Sequence, residues 1–149
     1  MLEKNKIHFP KQIDFNYLAD FIGEGNFVSK ITCPHQENFV MHSITQIRDI
    51  QYHNDFKELY KFCNDNYNLN NKPSNLMFFY SMKLGSPSVS HFDDEDVYII
   101  GVYGKTFYKV GKEEYIVESG DLLKIPANTV HTAVGLTPRI IISYGVFNE

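Results

Sequence analysis

From Leu76 onward the chain is a succession of strand-length apolar runs, each broken by Gly, Pro or a charged pair: LMFFYSMKL, DVYIIGVYG, KTFYKVG, EEYIVE, DLLKIP, HTAVG and RIIISYGVF. The breaks come too often for a β-α-β crossover, which needs a dozen or more residues between parallel strands. The pattern therefore predicts an antiparallel sandwich or barrel. Twelve Phe and ten Tyr, with no Trp, point the same way, because aromatic side chains suit a pleated surface.

The first half reads differently. In IDFNYLADFIGEG, Asp14 stands at an N-cap position, Phe15, Leu18, Phe21 and Ile22 share one helical face, and Gly23 marks a stop. NDFKELYKFCNDNY puts Phe56, Leu59, Tyr60 and Cys63 on one face, with Asn54 or Asp55 as the cap. NFVSKITC and FVMHSITQI alternate as strands do, and NLNNKPSN is a turn-rich connector. We read one domain over residues 1–149, with N-terminal helices and strands (1–75) packed on a core β-barrel (76–149).

Charge narrows the partners. A net charge of −4 offers no basic face to a phosphate backbone, and Lys6, Lys11 and Lys30 read as scattered solvated lysines, so no nucleic acid is expected. Cys33 and Cys63 have no metal-like spacing and read as free packed thiols, which suit a reducing compartment. The opening MLEKNKIHFPKQ lacks the apolar stretch of a signal peptide, and no run reaches the roughly 18 apolar residues of a membrane span. The expectation is a soluble cytoplasmic protein with no membrane partner.

The chemistry concentrates in GSPSVSHFDDEDVYIIGVYGK, residues 85–105. Here His91 and Asp93 are crowded by Asp94, Glu95 and Asp96 beside an apolar run. Charges so near a buried strand are costly without a neutralising cation. On a strand, His91 and Asp93 would face the same side. His131, at the head of HTAVG, can add a third donor from another strand. Two imidazoles and one carboxylate with open positions opposite form the facial triad of non-haem Fe(II) oxygenases. The same residues also fit a metal-free reading, with hydrogen-bonded core histidines and a solvated acidic turn. His8, His35, His42 and His53 show no ligand spacing.

Gly85, five residues, His91 and then Gly104 resemble the first cupin motif. Gly120, five residues, Pro126, then Asn128 and His131 resemble the second, and the resemblance covers Leu76 to Phe147. It implies a mainly β fold, the double-stranded β-helix or jelly-roll barrel. Within cupins, Asp93 stands where simple metal cupins carry a second His, and Val97 where they carry a Glu. The run HFDDEDVYIIGVYGKTFYKV, followed by GDLLKIPANTVH, is instead similar to JmjC-type hydroxylases and ribosomal oxygenases. That likeness implies Fe(II) held by His91, Asp93 and His131, in a site that Zn, Ni or Mn can also occupy. It further implies 2-oxoglutarate and oxygen, consumed in hydroxylating a substrate C–H bond.

One position departs from the pattern. The basic residue that grips the distal carboxylate of 2-oxoglutarate in those enzymes falls on Thr106. Arg139, which opens the last strand, is the candidate substitute, because a guanidinium matches a carboxylate in bidentate fashion. Lys105 is a second candidate although its parity points it away, and Thr106 and Ser88 are candidate hydrogen-bond helpers. Among Tyr80, Tyr98, Tyr103, Tyr108 and Tyr144, mostly core, one or two are expected to line the pocket, and Asp96 is a candidate partner for a ligand histidine.

Three functions follow. The first is an Fe(II) cupin oxygenase that uses 2-oxoglutarate. The second, suggested by Thr106, is a metal-dependent dioxygenase, isomerase or lyase that does not use it. The third is a non-enzymatic ligand-binding cupin. The chain is shorter than is typical of protein-hydroxylating relatives, which favours a small-molecule substrate, and the cupin resemblance implies a homodimer.

Overall fold

The computed structural model describes residues 1–24, 31–32, 45–81 and 90–148. The first helix, α1 (Phe15–Glu24), starts where Asp14 caps it: the Asp14 carboxylate accepts the Tyr17 N–H at 2.9 Å. Its apolar face buries Leu18 and Phe21. Gly23 lies inside this helix, so it is not the stop that the sequence suggests. The second helix, α2 (Lys57–Tyr67), is entered through a 3-10 turn at Asn54–Phe56. That turn is capped by His53, whose Nδ1 accepts the Asp55 N–H at 3.2 Å, rather than by Asn54 or Asp55. Phe56 and Cys63 are buried as their spacing predicts, and burial pushes the Cys63 thiol up to about 12, leaving it unreactive.

Among the described residues, ten strands form two antiparallel sheets. They are β1 (Leu2–Glu3), β2 (Ile31–Thr32), β3 (Thr45–Ile47), β4 (Ser74–Ser81), β5 (Val97–Tyr103), β6 (Thr106–Val110), β7 (Glu113–Val117), β8 (Leu122–Ile125), β9 (His131–Gly135) and β10 (Arg139–Val146). The larger sheet runs β1-β8-β5-β10-β4-β3-β2 and the smaller β7-β6-β9, an arrangement consistent with a jelly-roll barrel. Each strand-like run after Leu76 becomes a strand. Of the two N-terminal strand runs only Ile31–Thr32 and Thr45–Ile47 are described, and Cys33, His35 and His42 lie outside the described residues.

The period of two decides which core each residue joins. On β10, Ile140, Ile142 and Tyr144 pack against the helices, with Phe78 and Leu76 of β4 and Ile100 of β5 beside them. Phe78 also meets Phe56 and Phe21 edge-on, at 5.2 and 5.5 Å between ring centres. The alternate residues of β10 turn between the sheets, where Ile141 joins Ile99, Tyr108, Leu123 and Ile125. Burying one such side chain contributes roughly 1.5–3 kcal/mol, so a one-residue slip of β10 would forfeit both cores at once.

Gly101 is fixed by a close approach. The turn before β8 crosses β5, with the Gly120 N–H on the Gly101 carbonyl and the Gly101 N–H on the Asp121 carbonyl, both at 2.9 Å. A Cβ at Gly101 would lie 1.9 Å from the Glu118 carbonyl oxygen. Asp121, 1 % exposed, locks this turn to the N-terminus. Its carboxylate accepts from Lys4 Nζ at 2.6 Å, the Glu118 N–H at 2.9 Å and the Asn5 N–H at 3.1 Å. Among the described residues, no helix is long and apolar enough to cross a membrane.

Candidate metal centre

His91 and Asp93 do not sit on a regular strand, contrary to the expectation from the sequence. His91 forms an isolated bridge with His131, its N–H on the His131 carbonyl at 3.1 Å and the return bond at 2.8 Å. This exchange places the two residues opposite each other, with ring centres 4.3 Å apart. Asp93 follows in an irregular segment whose backbone carbonyl accepts the Asn128 N–H at 2.6 Å. Pro126 ends β8 and opens the loop that leads to His131, as its place in the sequence suggests.

The three side chains converge. Asp93 Oδ2 lies 3.5 Å from His131 Nε2 and 3.9 Å from His91 Nε2, and the three donor atoms all lie within 4.8 Å of one another. Donors bound to one divalent ion at about 2.1 Å stand roughly 3–4 Å apart, so the set fits a metal with little movement. His131 is 6 % exposed, whereas the side chains of His91 and Asp93 are 47 % and 40 % exposed, so the site opens on one side. The Thr129 carbonyl can only accept, so His131 Nδ1, 3.0 Å away, carries the proton, and the Nε2 lone pair is left for a cation shared with Asp93 Oδ2. Burial lowers the His131 pKa below its ordinary value, against the pull of the Thr129 bond, a shift in the direction of the neutral form a metal needs.

Behind the triad lies a cavity of about 410 Å³ between the sheets. Its walls are mostly apolar, with Met77 and Phe79 from β4, Ile99 from β5, Ala133 from β9 and Ile141 from β10. Arg139 also lines it, 2 % exposed. Its stem lies over Gly135, where an added Cβ would meet Arg139 Nε at 3.3 Å. Burial draws the Arg139 pKa down, against the pull of nearby Tyr108, yet a guanidinium remains charged. Of the five tyrosines, Tyr108 lines this cavity, and burial pushes its phenol up to about 12. Ser143 lines it too, and its signal was its shared parity with Arg139 on β10.

The other sequence candidates fall elsewhere. Lys105 stands exposed at the β5–β6 turn, its Nζ 3.3 Å from Glu118 Oε1, and is not part of the cavity wall. Thr106 is buried on β6 between Val117 and Gly135 and is not in the wall either. Ser88 lies outside the described residues. Asp96 holds no histidine: it accepts the Ala127 N–H at 2.9 Å and pairs with Lys124 at 2.7 Å, fastening the loop before His131. Burial opposes its ionisation, but Lys124 and the Ala127 N–H outweigh that and hold the carboxyl below its usual range.

Two packed antiparallel sheets with His91, Asp93 and His131 at the mouth define a cupin fold carrying a candidate divalent-metal site. Solved structures share that fold. YcfD, a ribosomal oxygenase from Escherichia coli, in complex with cobalt and succinic acid, superposes with a TM-score of 0.76 at 19 % identity, over 100 % of this chain and 48 % of that one. The same protein with cobalt and 2-oxoglutarate gives 0.75 at 18 % identity over the same shares. An RmlC-like cupin from Shewanella frigidimarina gives 0.53 at 14 % identity, over 80 % of this chain and 87 % of that one. The chain thus spans about half the length of the ribosomal oxygenase it resembles. No family model and no curated protein matches the sequence.

Proposed function

We propose that the chain is a mononuclear non-haem Fe(II) cupin oxygenase that uses 2-oxoglutarate to hydroxylate a small molecule. The observation that carries this reading is the place of Arg139: a buried guanidinium in the same apolar cavity as the His91, Asp93 and His131 triad. The oxidising chemistry would come from Fe(II), 2-oxoglutarate and oxygen together. The likeness to YcfD, seen with cobalt and 2-oxoglutarate, supports the choice of co-substrate.

The residues divide the work. His91, Asp93 and His131 would hold the metal from one side and leave its remaining positions to co-substrate and oxygen. Asp93 supplies the single negative charge among them, and the Thr129 carbonyl fixes the His131 ring. Arg139 would take the distal carboxylate through its two parallel N–H groups, with the Tyr108 and Ser143 hydroxyls in the same cavity. Met77, Phe79 and Ile141 exclude water, so a carboxylate entering there gains more from Arg139 than it would in solution. The volume of about 410 Å³ suits a co-substrate and a small molecule.

Anaerobic titration of the Fe(II)-loaded protein with 2-oxoglutarate tests this directly. A saturable visible charge-transfer band is expected. Bound iron without a band would refute the use of 2-oxoglutarate. Thr106, buried where a basic residue is expected, would then favour the second reading, a metal-dependent dioxygenase, isomerase or lyase that needs no such co-substrate.

A further inference from the structure

The acid run after His91 has a division of labour that motif matching does not give. Asp93 faces the histidines, whereas the next three acids each reach a different neighbour. Asp94 Oδ2 accepts from Asn148 Nδ2 at 3.0 Å, Glu95 pairs with Lys72, and Asp96 holds Lys124 and the Ala127 N–H. Lys72 also donates to Asn148 Oδ1 at 3.1 Å, so the first two ties join in one group. That group has a firm base. The Phe147 N–H bonds the Pro73 carbonyl at 2.8 Å. The Asn68 side chain closes the connector on itself, its Oδ1 on the Lys72 N–H at 2.9 Å and its Nδ2 on the Lys72 carbonyl at 2.8 Å.

Resting on the metal reading above, we propose that Lys72 and Asn148 are positioning residues for the metal: a clasp between the α2–β4 connector and the tail of β10 that holds the segment carrying Asp93. The segment needs such a hold. Between His91 and Val97 it belongs to no strand, and the side chains of its ligands are about half exposed. Two further ties run across to the second ligand stretch: the bridge to His131 at the head of β9, and the Asn128 N–H on the Asp93 carbonyl. A partly exposed ion pair adds little to global stability, so the role of the clasp lies in keeping Asp93 in place rather than in holding the fold.

The sign of one substitution separates positioning from simple electrostatics. Removing the positive charge of Lys72 would by itself tighten binding of a dication, whereas loosening the Asp93 segment weakens it. The experiment is calorimetric titration with Co(II) of the wild type, Lys72→Met, Lys72→Arg and Asn148→Ala, with the visible cobalt spectrum and the thermal midpoint read for each. Lys72→Met and Asn148→Ala are expected to bind Co(II) roughly 10-fold more weakly with an altered spectrum, at the low end of outer-partner effects. Lys72→Arg is expected to restore both. Unchanged or tighter binding in Lys72→Met and Asn148→Ala would overturn the clasp alone, and no Co(II) binding by the wild type would overturn the metal reading and the clasp with it. If Lys72→Met fails to fold, Asn148→Ala decides, since it changes no charge and lies beyond the last strand.

Discussion

Replacing Arg139 by Met keeps the stem of the side chain and removes the charged fork. In the free protein the packing over Gly135 is kept, because a Met chain follows the path of the stem. The effect on a dicarboxylate is far larger. Arg139 is 2 % exposed, so a carboxylate that reaches it trades water for the guanidinium in an enclosed site. Each hydrogen bond to a charged group contributes about 1.5–3 kcal/mol, and a fork makes two, giving about 3–6 kcal/mol. At about 1.4 kcal/mol per factor of ten, Arg139→Met should weaken 2-oxoglutarate binding roughly 100- to 10,000-fold. Metal affinity should not fall, because Arg139 is no ligand and removing a nearby positive charge does not oppose binding of a dication. Arg139→Lys should fall between, since an ammonium keeps the charge without the fork. The assay is the charge-transfer titration of Fe(II)-loaded protein, run with each variant beside the wild type. A 2-oxoglutarate affinity within about threefold of wild type in Arg139→Met would refute the reasoning, because a lost charge-assisted pair costs far more than that.

Asp93→Ala should lower divalent-metal affinity by at least about 100-fold, more than an outer-partner loss, yet leave the thermal midpoint close to wild type, because among the described residues the Asp93 side chain meets the two histidines, and it is 40 % exposed; calorimetry and a melting curve check both halves. Gly101→Ala should destabilise the fold by about 3 kcal/mol, since its Cβ would collide with the Glu118 backbone and neither strand nor turn can yield cheaply. For a chain of this size that is a fall of roughly 6–12 °C in Tm by calorimetry. Asp121→Asn tests a pH dependence. Burial opposes ionisation of Asp121, but Lys4 and the Glu118 and Asn5 N–H groups outweigh it and hold the carboxyl below its ordinary 3.8. A depressed folded pKa means that the unfolded chain takes up the proton first. The stabilisation is therefore complete above about pH 5 and is lost as pH falls through the folded value. The gap in denaturation midpoint between wild type and Asp121→Asn should be widest near neutrality and close in acid; a gap that widens in acid would contradict the assignment.

How much of this was legible beforehand depended on the range of the interaction responsible. The barrel strands were, because alternation and the turn residues between runs are local and period-two patterning leaves each strand one workable register. The helix cap at Asp14 was legible for the same reason, a carboxylate three residues from the N–H it accepts. Caps that depend on a neighbour one residue further out were not: His53 took the role expected of Asn54 or Asp55 because its ring nitrogen happened to lie over the Asp55 N–H. His91 was expected on a strand and instead forms a two-bond bridge, a distinction set by where β5 begins at Val97.

The sequence by itself determined which donors are available and how far apart they lie along the chain: His91, Asp93 and His131 in an antiparallel β framework, with an arginine at the head of the last strand. Only the tertiary structure decided which cation faces that site. Lys105 and Arg139 stand at comparable places in the sequence pattern, yet Lys105 lies on a turn where Glu118 and solvent hold it, and Arg139 is carried inward by the parity of β10 into the space between the sheets. The same holds for the acid run, whose three apparently redundant carboxylates found Asn148, Lys72 and Lys124 in segments up to 54 residues away. Charge and hydrogen bonding depend on distance and burial, and for residues so far apart along the chain both are set only when the sheets close on one another.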